Sequence, residues 1–122
     1  MLKEIVQILK KHLKDESDVE FAYLFGSYAD STFNDRSDVD VALYLKETSF
    51  DNQLKINFDL SKLLKKDVDL VVLNKTRNLY LLDDIIQKGI ILKDADKRIE
   101  FELKKHHEIL DYKEFKKSID AA

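Results

Sequence analysis

Two aspartates two positions apart, Asp38 and Asp40, open the apolar run Val39 to Leu45. On a strand, side chains two apart share a face, with Cα atoms roughly 6.5–7 Å apart. Carboxylates held that way repel each other unless a cation lies between them. Hard oxygen ligands suit Mg²⁺ that is held partly by a nucleotide's phosphates. Upstream stands Gly26-Ser27, separated from Asp38 by ten residues and preceded by the apolar run Phe21 to Phe25. The chain has only two glycines. A glycine where a strand stops marks a tight turn that another molecule can approach closely. Ser27 is placed to cap a short helix behind that turn, and free amides at a helix start attract phosphate. A phosphate cradle beside a carboxylate metal site is the equipment of phosphoryl or nucleotidyl transfer.

A third carboxylate is sought nearby. Asp69 lies inside the apolar run Val68 to Leu73, where an unused charge is expensive. Asp67 shares its face but stands at the start of the run, beside Lys65 and Lys66, and reads as a turn charge. Arg36 either grips phosphate oxygens in two-pronged fashion or is a surface arginine in an acidic loop. Arg77, in the loop after the third apolar run, reads as a surface residue. Tyr28 either stacks on a base or packs against the body. His12 is far in sequence from the adjacent His106 and His107, so the histidines make no metal site.

The elements that position these groups follow from periodicity. Leu2, Ile5, Val6, Leu9 and Leu13 predict an amphipathic helix over 2–14. Strands are predicted over 20–25, 39–45 and 68–73, the second of them central because it is apolar almost throughout. A short helix or turn and a loop fill 28–36. A helix over 50–66 turns Ile56, Leu60, Leu63 and Leu64 inward. A short helix over 79–88 stops at Gly89, and residues 90–92 form a brief edge strand. A terminal helix covers about 95–120, with Ile99, Leu103, His106 and Leu110 on one stripe. Tyr112 and Phe115 near its end either pack on the body or face another subunit. The fold class is α/β, a small mixed sheet flanked by helices.

With 122 residues the chain is expected to be one domain, 1–122, with no room for a large substrate domain. Charged residues make up 37% but the net charge is only −3, so no basic face points to direct nucleic-acid binding. There is no cysteine, which excludes disulfides and thiolate metal sites. No apolar run reaches membrane-spanning length and no signal-peptide pattern opens the chain, so a cytoplasmic location is expected.

Gly26-Ser27, ten residues, Asp38-x-Asp40 resembles the DNA polymerase β-like nucleotidyltransferases over roughly residues 1–95. The short length is similar to the minimal nucleotidyltransferases, the MNT or MntA-like antitoxins paired with HEPN toxins. Many members carry Ala-Arg-Gly after the Gly-Ser turn, where this chain has Ala29-Asp30-Ser31. The resemblance implies the polymerase β-like fold and nucleotidyl transfer from ATP. Gly26, Ser27 and Arg36 would bind the nucleotide. Asp38, Asp40 and Asp69 would be catalytic and would hold two Mg²⁺ ions. It also implies a HEPN toxin as partner, with AMP transferred to a tyrosine hydroxyl of that ribonuclease, in a homo- or hetero-oligomer. Two other readings stay open: transfer to a small molecule such as an aminoglycoside, and a non-catalytic antitoxin acting by contact alone.

Overall fold

The computed structural model describes residues 1–121. Four helices flank a four-stranded mixed sheet: α1 (Leu2–Lys14), β1 (Val19–Phe25), β2 (Val39–Leu45), α2 (Phe50–Leu64), β3 (Val68–Val72), α3 (Leu79–Lys88), β4 (Ile90–Lys93) and α4 (Asp96–Ala121). A single 3₁₀ turn, Gly26–Tyr28, follows β1. Strand order is β3-β2-β1-β4. β1 runs antiparallel to both β2 and β4, and β2 runs parallel to β3 through the α2 crossover. The second strand is therefore central and the fourth is an edge, as its length suggested. No helix among the described residues is long and apolar enough to cross a membrane.

The pleat divides the core into two layers. Val39, Val41, Leu43 and Leu45 of β2 pack with Ile5, Leu9 and Leu13 of α1 and with Ile56 and Leu60 of α2. Ala42 joins Phe21, Tyr23 and Phe25 of β1 on the other face, against Leu82 and Ile85 of α3 and Phe101 of α4. Both faces of β1 and β2 are covered, and for that reason both read as continuous apolar runs. Tyr23 reaches through the second layer to donate a 2.6 Å hydrogen bond to Glu102. Burial and that carboxylate both push its phenol far above the ordinary range.

Three expectations about helices are corrected. α2 ends at Leu64, two residues early, because Lys65 turns left-handed at φ 54°. Leu63 faces outward, while Ile56 and Leu60 are buried and Leu64 is partly buried against the core. In α4 the stripe of Ile99, Leu103, His106 and Leu110 faces solvent. Phe101 and Ile109 are the buried residues instead. Tyr112 lies edge-on to Tyr80 of α3, at 5.6 Å between ring centroids, whereas Phe115 is exposed. The stripe misled because α4 is apolar on two sides, and spacing alone cannot say which side meets the body.

Candidate functional site

The site is built where the chain leaves β1. Phe25 stands opposite Asp40 in the β1–β2 register. The next residue, Gly26, turns the chain at φ +71°, a left-handed value that costs other residues about 1–2 kcal/mol. A Cβ at Gly26 would fall on the Asp40 carboxylate. The glycine thus serves two needs, the backbone turn and the contact of the loop with the aspartate. The Gly26 carbonyl accepts from the Ala29 and Asp30 amides at 3.1 and 3.2 Å, and the Ser27 carbonyl from Thr32 at 2.9 Å. Tyr28 is fully buried and stacks on Phe33 at 4.4 Å. It pins the loop into the α1–α2 layer, and its ring is not free to stack on a base. Ser27 is not the cap of a helix: it lies inside the 3₁₀ turn, which has no side-chain cap. Asp30 shapes the loop itself, accepting from the Thr32 hydroxyl at 2.6 Å and from its amide at 3.1 Å. The Thr32 hydroxyl holds the Asp30 carboxyl below its usual value.

The carboxylates meet at the leading ends of β2 and β3. Asp40 and Asp69 are directly opposite in the parallel register. Asp38 precedes β2 by one residue. The Val39 amide donates to the Asp67 carbonyl at 3.0 Å, which locks the two strand starts together. Burial first, then the charges of Asp69 and Asp38, raise the Asp40 carboxyl above its ordinary range. Asp69 itself is exposed. The reason given for it from sequence, a buried charge in an apolar strand, does not hold; its place in the register brings it to the pair. Asp67 is also exposed and lines a cleft together with Lys62, Lys65 and Lys66.

Three mutually repelling carboxylates, one partly buried, match the donor set of a hard divalent cation. Among the described residues, no group of three or more His, Cys, Asp or Glu side chains encloses a cation unaided. Mg²⁺ is ordinarily held by one or two carboxylates and completed by phosphate and water. Asp38 and Asp40 are the candidate pair for such a cation, since their charges act on each other.

Arg36 is exposed in a loop held by Asn34, whose side chain accepts from the Arg36 amide at 2.8 Å. It lines the same cleft as Asp38. Arg77 follows the far end of β3, across the length of the sheet from the carboxylates. His12, His106 and His107 are not drawn into the site; His106, expected inward, is exposed. Sequence reasoning passed over the lysines at the end of α2 as a helix terminus. Nothing in the sequence signals that Lys65 turns left-handed and that the α2–β3 turn lies beside Asp38.

One result follows from the Gly26 contact. Gly26→Ala is expected to destabilise the fold by about 1–2 kcal/mol. It is also expected to cut nucleotidyl transfer at least ten-fold, since ångström-scale misplacement at a reacting centre costs up to about a hundred-fold. Thermal melts beside a transfer assay measure both. A variant with wild-type transfer would show that Asp40 tolerates displacement.

Comparison with known proteins gives concordant matches. The family model "Polymerase beta, Nucleotidyltransferase" matches residues 4–98. A Methanocaldococcus jannaschii chain that carries the name protein adenylyltransferase, MJ1379, is 37% identical over 90 residues, 69% of this chain and 90% of the relative. A chain of a toxin–antitoxin crystal structure with AMP-PNP superposes at TM-score 0.78 and 25% identity, covering 95% of both chains. The same fold recurs at TM-score 0.73 and 23% identity in the complex of a tri-AMPylated Shewanella oneidensis HEPN toxin with MNT antitoxin, over 99% of this chain and 97% of the other. A family model that runs from the first helix into α4, together with a relative more than a third identical, means that the chain belongs to the polymerase β nucleotidyltransferase family.

Proposed function

We propose that the protein transfers AMP from ATP to a hydroxyl of a partner protein, a HEPN toxin, and thereby silences it. The observation that carries this reading is the register of Asp40 with Asp69, with Gly26 packed against Asp40. A phosphate-binding turn and three carboxylates share one end of one sheet. ATP as donor agrees with the AMP-PNP of the similar toxin–antitoxin structure. A protein acceptor agrees with the name of the archaeal relative. The HEPN class rests on the resemblance of Gly26-Ser27, Asp38 and Asp40 to the minimal nucleotidyltransferases; a HEPN toxin is also what the Shewanella complex holds.

Gly26 and Ser27 hold the outer phosphates, and Arg36 reaches their oxygens from the loop. Asp38 and Asp40 would hold the Mg²⁺ of the triphosphate and share a second ion with Asp69. When bound, Mg²⁺ supplies the charge that neutralises the phosphates and favours ionisation of the attacking hydroxyl. Asp69 takes the hydroxyl's proton as general base. The hydroxyl oxygen bonds to the α-phosphorus, the bond to the bridging oxygen breaks, and pyrophosphate leaves on the side of Gly26. The protein's share is positioning and preorganised charge. On a tyrosine, AMP replaces a small neutral donor with a bulky anion. That opposes binding of RNA, itself an anion, at a ribonuclease surface.

In this reading the acceptor hydroxyl belongs to the toxin, so turnover depends on the partner. The protein alone is expected to release pyrophosphate far more slowly than the roughly 1 per second of an ordinary enzyme. Adding the toxin should produce label transfer from α-³²P-ATP in the presence of Mg²⁺. Steady release at about that rate without the toxin would point to another acceptor.

A further inference from the structure

The chain has five tyrosines, and the fold sorts them sharply. Tyr23 is buried and donates to Glu102. Tyr28 is fully buried, and Tyr44 is half-buried with its ring stacked on Phe21 at 5.0 Å. Tyr80 of α3 and Tyr112 of α4 are the exposed pair, edge-on to each other. The Lys116 ammonium donates to the Tyr80 hydroxyl oxygen at 3.2 Å and lies 5.6 Å from the centre of its ring. Among the described residues Lys116 forms no ion pair, whereas Lys113, one turn earlier, is taken by Asp83 at 3.2 Å. Lys116 first, then the Tyr112 hydroxyl, holds the Tyr80 phenol below its usual value, against the opposing charge of Asp120. The same contact pushes the Tyr112 phenol up. One exposed tyrosine oxygen therefore carries a neighbouring cation and is readied to ionise, and an ionised oxygen is the better nucleophile.

The position of Tyr80 says which copy could use it. The chain enters α3 from the far end of β3, and Tyr80 stands in the first turn of that helix. The other end of α3 is the one near the Gly26 loop, where the Lys88 charge acts on Asp30. Tyr80 to Lys88 spans about 12 Å along the helix, and the Tyr80 hydroxyl is held against α4. It is thus kept away from the carboxylates of its own chain and open to those of another. We propose that Tyr80 is a self-modification site, an acceptor hydroxyl that receives AMP from the active site of a second copy of this chain. This rests on the nucleotidyl-transfer reading above. In the step the Tyr80 oxygen bonds to the α-phosphorus of an ATP held by the second copy. The bond to the bridging oxygen breaks, pyrophosphate leaves, and the phenol proton passes to the second copy's Asp69. The new phosphodiester then stands beside Lys116, whose charge suits it.

Two measurements test this on the full chain. The first needs neither ATP nor metal. The chain has no tryptophan, so near-ultraviolet absorbance during a pH titration reports its tyrosines alone. Wild type should show a tyrosine that ionises below 10.0, a phase absent from Tyr80→Phe and moved upward in Lys116→Met. The second uses α-³²P-ATP and Mg²⁺ without toxin. Label should rise to at most one AMP per chain and stop, in keeping with slow release of pyrophosphate. Peptide mass spectrometry should place it on Tyr80. Tyr80→Phe should lose the label yet modify the toxin within about two-fold of wild type. Asp40→Asn keeps Tyr80 but loses the carboxylate that would hold the cation; mixed with Tyr80→Phe, it should acquire label. Label on another residue, an unlabelled Asp40→Asn chain in that mixture, or a titration that Tyr80→Phe leaves unchanged overturns the proposal. A wild type that modifies the toxin but not itself also overturns it and leaves the transfer reading standing. A wild type that modifies neither refutes both.

Discussion

Asp40→Asn is expected to raise the melting temperature of the metal-free protein while abolishing nucleotidyl transfer. The two effects share one cause. Asp40 is partly buried and faces the charges of Asp69 and Asp38, which raises its carboxyl pKa in the folded state. The folded state then holds the proton more tightly than the unfolded chain does. Stability therefore falls as pH rises from the ordinary carboxylate value of 3.8 through the raised folded value. At neutral pH the full penalty is present, and asparagine removes it. The gain should shrink as pH is lowered through that window and vanish below about 3.8. Transfer behaves oppositely, because the neutral amide cannot hold the cation. Several kcal/mol of transition-state stabilisation is lost, which is a hundred-fold or more in rate at about 1.4 kcal/mol per decade. Melts in EDTA at several pH values, beside label transfer to the toxin with Mg²⁺, measure both. A variant that melts lower at pH 7 would mean that Asp40 stabilises the fold without metal. A variant that transfers normally would remove the carboxylate from the metal site.

This opposition explains why part of the candidate site was legible in the sequence. A pair such as Asp38 and Asp40 at the head of an apolar strand works against the fold, and a chain keeps such a conflict where it is used. Gly26 was legible for a related reason: one of two glycines stands where a strand ends. The central strands were legible because β1 and β2 are covered on both faces. What the sequence hid depends on which neighbour a face meets. The outward stripe of α4 and the inward stripe of Phe101 and Ile109 have the same period. The left-handed Lys65 sits between lysines that read as a plain helix end. Asp69 was picked out for burial that it does not have; strand pairing, which no local pattern reports, brings it to Asp40. Ser27 was assigned a capping role on residue type, whereas the chain tightens into a 3₁₀ turn one residue earlier.

The strand register also separates Asp69 from Asp67. The two lie two residues apart on the leading end of β3, and both are exposed. Asp69 stands opposite Asp40, and its charge helps to raise the Asp40 carboxyl. Asp67 precedes the strand; its carbonyl accepts from Val39, and it lines the cleft that Lys62, Lys65 and Lys66 also line. Replacing the Asp67 side chain leaves that backbone bond in place. In the proposed mechanism Asp38 and Asp40 hold the triphosphate, and Asp69 serves the attacking hydroxyl. Asp69→Asn should therefore leave Mg-ATP affinity nearly unchanged and lower the first transfer by roughly two orders of magnitude or more, the size of a lost general base. Asp67→Asn should change either quantity by no more than about two-fold, as for an ordinary surface substitution. Calorimetry of Mg-ATP binding and single-turnover transfer to the toxin would be run on both variants. Loss of ATP affinity in Asp69→Asn would move that residue into the triphosphate site. A dead Asp67→Asn beside an active Asp69→Asn would assign the base to the other carboxylate, and the acceptor hydroxyl would then have to enter from the lysine cleft itself.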